Sequence, residues 1–569
     1  MSIIRHIAIR NFRTIETLDW QPTEGVNCII GPGDSGKSTV LDAIDYCLGA
    51  RRTVNFTDAD FYNSNVENPI EIYVTLGNLS DELLNIERYG SFLRAFNANL
   101  SQFYDEPQHG IETVITVRLY VDKGLDPDWT LYSDRASAEG LEKRLPWNHR
   151  ELIAPTRLGE GSNRHFTWGR NSLLNKLIED DFDVSDVLTE VSRNARQAFA
   201  QQQVAGINNA LTSVQSIAST LGVNVGQLKA LLDVSSVSVS HGAVSLHDGN
   251  DTPIRQMGTG STRLLLAGLQ KLVSKSKLLL IDEVEFGLEP FRISRLLKEI
   301  GAKDRQPTQQ VFITTHSPYV LRELKSSQLH VLRKCFTQEQ PQTNHFVFSM
   351  NDSDDHQSTL RVCAEAFLSN KVVVCEGKTE LGLLKGVDSV EQSEGRYSIQ
   401  ALGVMYADGS GSQMFKRARV FHDLGYPVSI FKDSDINDQQ QVAINEAVQL
   451  RIPMYEWGAN QATEQAIFNN CQLNLIPQLL NIAVARKGHD AINAHISNAT
   501  GNQVNLASCT QSPLDVHRQL LGQTAKNKEW YKDIEPMESV AQYVLWPNRQ
   551  FLSQPFTQVI ESLLAWARS

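Results

Sequence analysis

The chain has 569 residues, with 65 Asp and Glu against 53 Lys and Arg and a formal net charge of −12. That length suggests about three to five domain-sized units, and 41% apolar with 21% charged residues is an ordinary globular balance that excludes collagen-like, wholly disordered and small disulfide-scaffold classes. The acidic balance excludes coating of nucleic acid through bulk positive charge, but leaves room for a local basic patch or for metals held by the chain's own carboxylates.

In chain order, MSIIRHIAIRNFR alternates apolar and polar residues and is interrupted by Arg5 and Arg10. It reads as a strand, not a signal peptide. Residues 26–30 form a short apolar run that stops at Gly31, and 40–48 continue as a helix. Residues 70–76 and 114–121 read as strands of a mixed sheet. From about 165 to 240, stretches such as DVLTEVSRNARQAFAQQ have helical spacing and few breakers, which predicts a helical insertion. Strand chemistry returns with VSVSHGAVSLHDG. The polar stretch 349–358, SMNDSDDHQS, reads as a linker, and the domain boundary falls near 360–368. Residues 530–569 end in amphipathic helical sequence. No apolar run approaches the roughly 20 residues of a membrane span. The seven cysteines are scattered, with no C-x-x-C pair, and read as reduced thiols of a cytosolic protein.

Residues 31–38, GPGDSGKS, fit G-x-x-x-x-G-K-[ST] between an apolar strand and a helix. Gly31, Gly33 and Gly36 let the loop turn its N–H groups toward phosphate oxygens. Lys37 can reach the β- and γ-phosphates, and the Ser38 hydroxyl can ligate Mg²⁺. With Asp34, Ser35 and Thr39 these are the candidate ATP-binding residues. LLLIDE at 278–283 is the partner motif: an apolar strand ends at Asp282, placed to hold Mg²⁺, and Glu283 is placed to orient an attacking water. The strand QQVFITTHSP ends at His316, which can reach a γ-phosphate or polarise a water. MGTGSTR at 257–263 precedes a helix and offers Gly260 and Ser261 to a phosphate. It resembles the signature motif of ABC-type ATPases, which would act across a dimer, and EFGLEP (285–290) resembles the D-loop of that class.

A second centre opens with KVVVCEGKTE at 371–380. A strand ends at Glu376, and Glu380 lies one helical turn beyond, so both carboxylates can converge on one metal. ADGSG (407–411) follows a second strand. PVSIFKDSD closes a third, with Asp433 and Asp435 at i, i+2 on one face. Oxygen-only ligands suit Mg²⁺ or Mn²⁺. Glu464 is the candidate further ligand, and Lys532, with Lys528 behind it, the candidate cation for transition-state charge. The order of Glu, glycines and Asp-x-Asp resembles the Toprim fold.

A P-loop head followed by a Toprim domain resembles the OLD (overcoming lysogenization defect) family, which includes Gabija and retron-associated anti-phage effectors. GPGDSGKST, MGTGSTR, LLLIDEVEFGLEP, TTHSP, VVVCEGKTE and FKDSD occur in the family's order, so the resemblance covers nearly the whole chain. It implies an α/β chain: an ABC-like ATPase at 1–365 with a helical dimerisation insertion, and a Toprim nuclease at 366–569 with a helical extension. It implies ATP and Mg²⁺ (or Mn²⁺) as cofactors, DNA as substrate, a homodimer or higher oligomer, and a role in bacterial defence. A separate helicase or a retron reverse transcriptase with its msDNA would fit as a partner, and the setting would be cytoplasmic with no membrane contact. Gly33-Asp34 stands where many relatives carry Asn, a departure that bears on nucleotide affinity and hydrolysis. The alternative is a RecF- or SMC-like DNA-repair ATPase or sensor whose Toprim domain only binds. DNA contacts are expected on a local basic surface, with Arg51-Arg52 and Lys416-Arg417-Arg419 as candidates.

Overall fold

The computed structural model describes residues 2–51, 53–158, 253–273, 276–336, 343–434, 440–458 and 460–569, with isolated positions 190, 193, 194, 212, 246–249 and 251. Apart from those positions, the expected insertion at 165–240 and the VSVSHGAVS stretch lie outside the described residues, as do Arg52 and Asp435.

One sheet of thirteen strands runs through the N-terminal part of the described residues. They are β1 (Ile3–Phe12), β2 (Ile15–Trp20), β3 (Val26–Ile30), β4 (Ile70–Gly77), β5 (Leu93–Asn97), β6 (Gln102–Tyr104), β7 (Glu112–Val121), β8 (Pro127–Tyr132), β9 (Thr156–Leu158), β10 (Leu278–Ile281), β11 (Gln310–Thr314), β12 (Leu329–Phe336) and β13 (Thr343–Ser349). One half is antiparallel: β1 pairs with β2 and β4, and β7 with β4, β5 and β8. The other half is parallel, in the order β12-β3-β11-β10-β9. Here VNCII, LLLI and QVFIT are buried from end to end, as expected of parallel strands covered on both faces. The period of two splits each run between two cores. Leu278 and Leu280 join Val40, Leu41 and Ile44 of the helix Lys37–Leu48. Leu279 and Ile281 join Leu266, Ile293 and Leu296 of the helices Thr259–Val273 and Pro290–Glu299.

The second sheet is parallel throughout, in the order β15-β14-β16-β17, from β14 (Lys371–Cys375), β15 (Val404–Asp408), β16 (Val428–Lys432) and β17 (Met454–Glu456). Val373, Cys375 and Phe431 face the C-terminal helices, where Trp457 stacks on Phe556 at 4.5 Å. The helix Lys378–Ser393 approaches the helix Ile534–Ser539 so closely that a Cβ on Gly382 would stand 2.4 Å from the Ile534 carbonyl oxygen, so only glycine fits there. Val372, Val374, Val428 and Ile430 face the other way and belong to the same apolar cluster as Val26, Leu279 and Val311 of the first sheet.

The stretch 349–358 is therefore no linker. Ser353 caps the helix Asp354–Val362 by accepting the N–H of His356, and Asp354 and Asp355 sit in its first turn, where acids favour a helix N-terminus. The polar composition that suggests a loop is a helix start. Across the same seam Arg322 pairs with Glu365 at 2.5 Å. Arg333, on β12, donates to the Asn370 carbonyl at 2.9 Å and lies 4.3 Å over the Tyr426 ring. Six cysteines are described as free and buried. Among the described residues no helix is long and apolar enough to cross a membrane.

Candidate functional site

The first centre lies where β3 ends. Gly31 packs against β12 so tightly that a Cβ there would meet the Leu332 carbonyl oxygen at 2.4 Å. Asp34 and Gly36 take left-handed backbone at φ 57° and 93°, which curls the loop ahead of the helix Lys37–Leu48. Gly33 opens onto free space. The Lys37 ammonium donates to the carbonyls of Gly31 (3.2 Å) and Pro32 (2.8 Å). Burial lowers its pKa, against the pull of Asp34, Asp282 and Glu283. The Ser35 hydroxyl is buried without a hydrogen-bond partner among the described residues. Thr39 faces Thr14, hydroxyl to hydroxyl at 3.3 Å.

Because β11 lies between β3 and β10, its end meets the end of β10 beside the loop. Asp282 Oδ1 accepts from the Ser38 hydroxyl at 3.1 Å and from the Thr314 hydroxyl at 2.5 Å. Thr314 also accepts the Glu283 N–H at 2.9 Å. Glu283 is exposed at φ 47°, and its carbonyl accepts from Arg263 at 2.6 Å. His316 is exposed just past β11, with its N–H on Glu285 at 2.7 Å. Arg157, on β9, bonds Asp42 and stands 3.7 Å from Asp282. Gly260 and Ser261 lie inside the helix Thr259–Val273, not ahead of it. They are set against the segment after β10: Gly260 against the Gly287 carbonyl, Ser261 accepting from Arg292 at 3.1 Å.

The second centre lies at the C-terminal edge of the second sheet, between β14 and β16, where the chain leaves β14 toward β15 and β16 toward β17 on the opposite side; ligands of open parallel sheets bind at such crevices. The Asp433 N–H donates to Glu376 Oε2 at 3.1 Å, and the Glu376 N–H to the Phe431 carbonyl at 2.8 Å. The glycines of ADGSG brace this edge: Gly409 donates to the Cys375 carbonyl at 2.6 Å and Gly411 to the Glu376 carbonyl at 2.8 Å. Ser434 is clamped to Gln461, accepting its N–H at 2.9 Å. Lys432 is buried, paired with Glu456 at 2.5 Å and bonded to the Asp433 carbonyl at 2.9 Å.

Glu380 turns back instead of extending beside Glu376. Its Oε2 accepts the Gly377 N–H at 3.0 Å and its Oε1 the Thr463 hydroxyl at 2.6 Å. Burial pushes its pKa up to about 7; Thr463 pulls against this, while the charges of Glu376 and Glu464 add to it. Glu464 is buried in the first turn of the helix Thr463–Asn470. Lys532 is paired with Glu529 at 2.5 Å, which raises its pKa, with a smaller contribution from Glu464. Glu376, Asp433, Glu380 and Glu464 thus gather at one edge, with Lys532 in electrostatic reach. Among the described residues no group of three or more His, Cys, Asp and Glu is arranged to hold a metal ion, and Asp435 lies outside them.

The described residues of the candidate basic patches do not stand as free cations. Arg51 pairs with Asp45 at 2.5 Å, Lys416 with Asp355 at 3.3 Å and Arg419 with Glu446 at 3.5 Å. Arg417 is buried, bonding Ser410 at 2.9 Å and the Asp408 carbonyl. Thr314, the first residue of TTHSP, belongs to the first centre, and Arg157 and Thr463 belong to the two centres although no motif marks them. The Thr-Thr pair ahead of His316 and the Thr beside Glu464 are the only signals the sequence carries.

Fold and site together define a P-loop ATPase head joined to a Toprim domain. The chain belongs to the family described as "AAA domain, putative AbiEii toxin, Type IV TA system", which matches residues 26–322. The description "Overcoming lysogenization defect protein-like, TOPRIM domain" matches residues 367–435, and the two in this order make it an ATPase–Toprim protein of the OLD type. The OLD nuclease of Thermus scotoductus is 22% identical over 370 residues, 58% of this chain and 62% of that protein. The DNA replication and repair protein RecF of Prosthecochloris aestuarii is 41% identical over 61 residues, 11% of this chain. The chain spans only 16% of the length of that RecF. An SMC head solved with the C-winged helix domain of ScpA aligns at 14% identity and a TM-score of 0.34, covering 61% of this chain and 97% of that one.

Proposed function

We propose that this chain is an ATP-regulated, divalent-metal-dependent DNA endonuclease of bacterial anti-phage defence. The observation that carries this reading is the carboxylate crevice, where the Asp433 N–H meets Glu376 and a buried Glu380 is driven up to about 7 beside Glu376 and Glu464. Acids crowded at a sheet edge lower their energy by gathering a cation. Glu376, Asp433, Asp435 and Glu464 are the proposed oxygen ligands for Mg²⁺ or Mn²⁺, joined by Glu380 as it ionises. Such an ion supplies an activated water and a charge for the leaving oxygen of a phosphodiester. Lys532 balances phosphate charge.

At the first centre, Gly31, Gly33, Asp34, Ser35, Gly36, Lys37, Ser38 and Thr39 are the proposed cradle for ATP, with Ser38 and Asp282 holding its Mg²⁺. The Ser35 hydroxyl, without a partner among the described residues, and a lysine resting on loop carbonyls are donors that phosphate oxygens would take. Glu283 and His316 are the proposed water-orienting and γ-phosphate residues. Gly260 and Ser261 act on the nucleotide of a second copy, so the working form is a cytoplasmic homodimer or larger oligomer. A helicase, or a retron reverse transcriptase with its msDNA, fits as a further partner. Nucleotide binding shifts the population of nuclease-competent arrangements.

The test is cleavage of supercoiled plasmid with Mg²⁺ or Mn²⁺, with and without ATP, by wild type, Glu376→Ala and Lys37→Ala. Metal-dependent cutting lost in Glu376→Ala carries the nuclease reading, and a changed ATP response in Lys37→Ala carries the regulation. The segment shared with RecF favours a second reading, a DNA-bound ATPase whose Toprim domain only binds. ATP-dependent DNA binding without cutting under either metal selects it.

A further inference from the structure

A cavity of about 320 Å³ lies at the far end of the helix Lys37–Leu48, between that helix, the β7–β8 hairpin and residues 144–153. Its wall carries three guanidinium groups, Arg51, Arg144 and Arg150, against one carboxylate, Asp128, and it presents two indoles, Trp129 and Trp147. In a chain of net charge −12 this is a local reversal of sign.

The three arginines are not equivalent. Arg144 pairs with Asp128 at 2.6 Å and Arg51 with Asp45 at 2.5 Å. Arg150 pairs with no carboxylate among the described residues. It donates to the Gly49 carbonyl at 2.8 Å and stands 4.9 Å over the Trp129 ring. Burial works against its charge, since the wall removes water and the one carboxylate in it pairs with Arg144 instead. Trp147 leaves 40% of its surface open, its ring held by a hydrogen bond to Glu151 at 2.7 Å. A held indole beside a half-buried guanidinium is a platform for a planar ring carrying a negative group.

We propose that this cavity is a second ligand site that takes a small anion of the nucleoside monophosphate class, with the phosphate on Arg150 and Arg144 and the planar base against Trp147. Its volume reaches the roughly 300 Å³ at which small-molecule pockets begin. It is separate from the P-loop: Cys47, in its wall, lies about 15 Å along the helix from Lys37 at 1.5 Å rise per residue.

Isothermal titration of AMP into the full chain tests this, in wild type, Lys37→Ala and Trp147→Ala, with inorganic phosphate and adenosine as control ligands. The expected result is one AMP per chain in Lys37→Ala, about tenfold or more weaker in a Lys37→Ala, Trp147→Ala double variant, with phosphate alone and adenosine alone both weaker than AMP. Trp147 is at the surface, so a melting temperature equal to wild type checks that the variant folds. Arg150→Lys keeps the charge and loses the planar fork, and is expected to weaken AMP as well. AMP binding that disappears with Lys37→Ala, that is unchanged by Trp147→Ala, or that is absent from all forms overturns the proposal. Phosphate bound as tightly as AMP overturns the assignment to a nucleoside.

Discussion

Glu380 gives the sharpest quantitative prediction. Its carboxyl is buried and its pKa rises from 4.5 to about 7, first through burial and then through the charges of Glu376 and Glu464. Between those values the folded chain holds a proton that the unfolded chain has released. Stability therefore falls as the pH rises from 4.5 to 7, contributes no penalty below that window, and carries the full penalty above it. At 1.36 kcal/mol per pKa unit the penalty is roughly 3 kcal/mol. Glu380→Gln removes it and keeps the side-chain shape, at a pH-independent cost of about 1 kcal/mol for the weakened bonds to Gly377 and Thr463. In metal-free buffer the melting temperature of Glu380→Gln minus that of wild type is expected to rise by about 2–3 °C between pH 4.5 and 8.5, since the two sheets share one apolar cluster and the chain of 569 residues melts as one. A difference that stays flat across that range would show that burial and the neighbouring acids do not hold the proton on Glu380.

Three further outcomes follow from contacts at the two centres. Gly31→Ala drives a methyl into the Leu332 carbonyl at 2.4 Å and should destabilise the head by roughly 2–4 kcal/mol, with ATP binding lost by titration. Asp282→Asn keeps the shape that Ser38 and Thr314 hold but lowers the charge. ATP hydrolysis should drop about 100-fold or more while ATP binding persists, and equal turnover in the two proteins would rule this assignment out. Arg333→Ala loses the Asn370 bond and the Tyr426 stack. It should cost about 1–2 kcal/mol in denaturant melts and flatten the response of plasmid cleavage to ATP.

The local signals of the sequence agree with the fold wherever one strand and its next turn suffice. VNCII running into GPGDSGKS, LLLI into Asp282, and KVVVC into Glu376 are each strand, turn and polar group in one short stretch, and each forms as read. What the sequence hides is made by partners far along the chain. Thr463 reaches Glu380 across 83 residues and turns a metal-facing expectation into a buried hydrogen bond. Thr314 reaches Asp282 across 32. Arg51, Lys416 and Arg419 look like a surface for DNA until Asp45, Asp355 and Glu446 arrive beside them. SMNDSDDHQS has loop composition because N-caps and first turns share that composition.

The apolar cluster that β14 and β16 share with the P-loop sheet, by way of the helices Met414–Asp423 and Asp354–Val362, has one last consequence. A tethered pair of domains can be cut apart and studied as two molecules; this pair cannot. Residues 366–569 on their own would lose the helix Asp354–Val362 from the helix Met414–Asp423 and Arg333 from the Tyr426 ring, leaving an apolar face that invites aggregation. The gene reads as two modules in series, but the folded object is a single casting, and Leu332, Arg333 and Asn370 link Gly31 to β14, the strand that leads to Glu376.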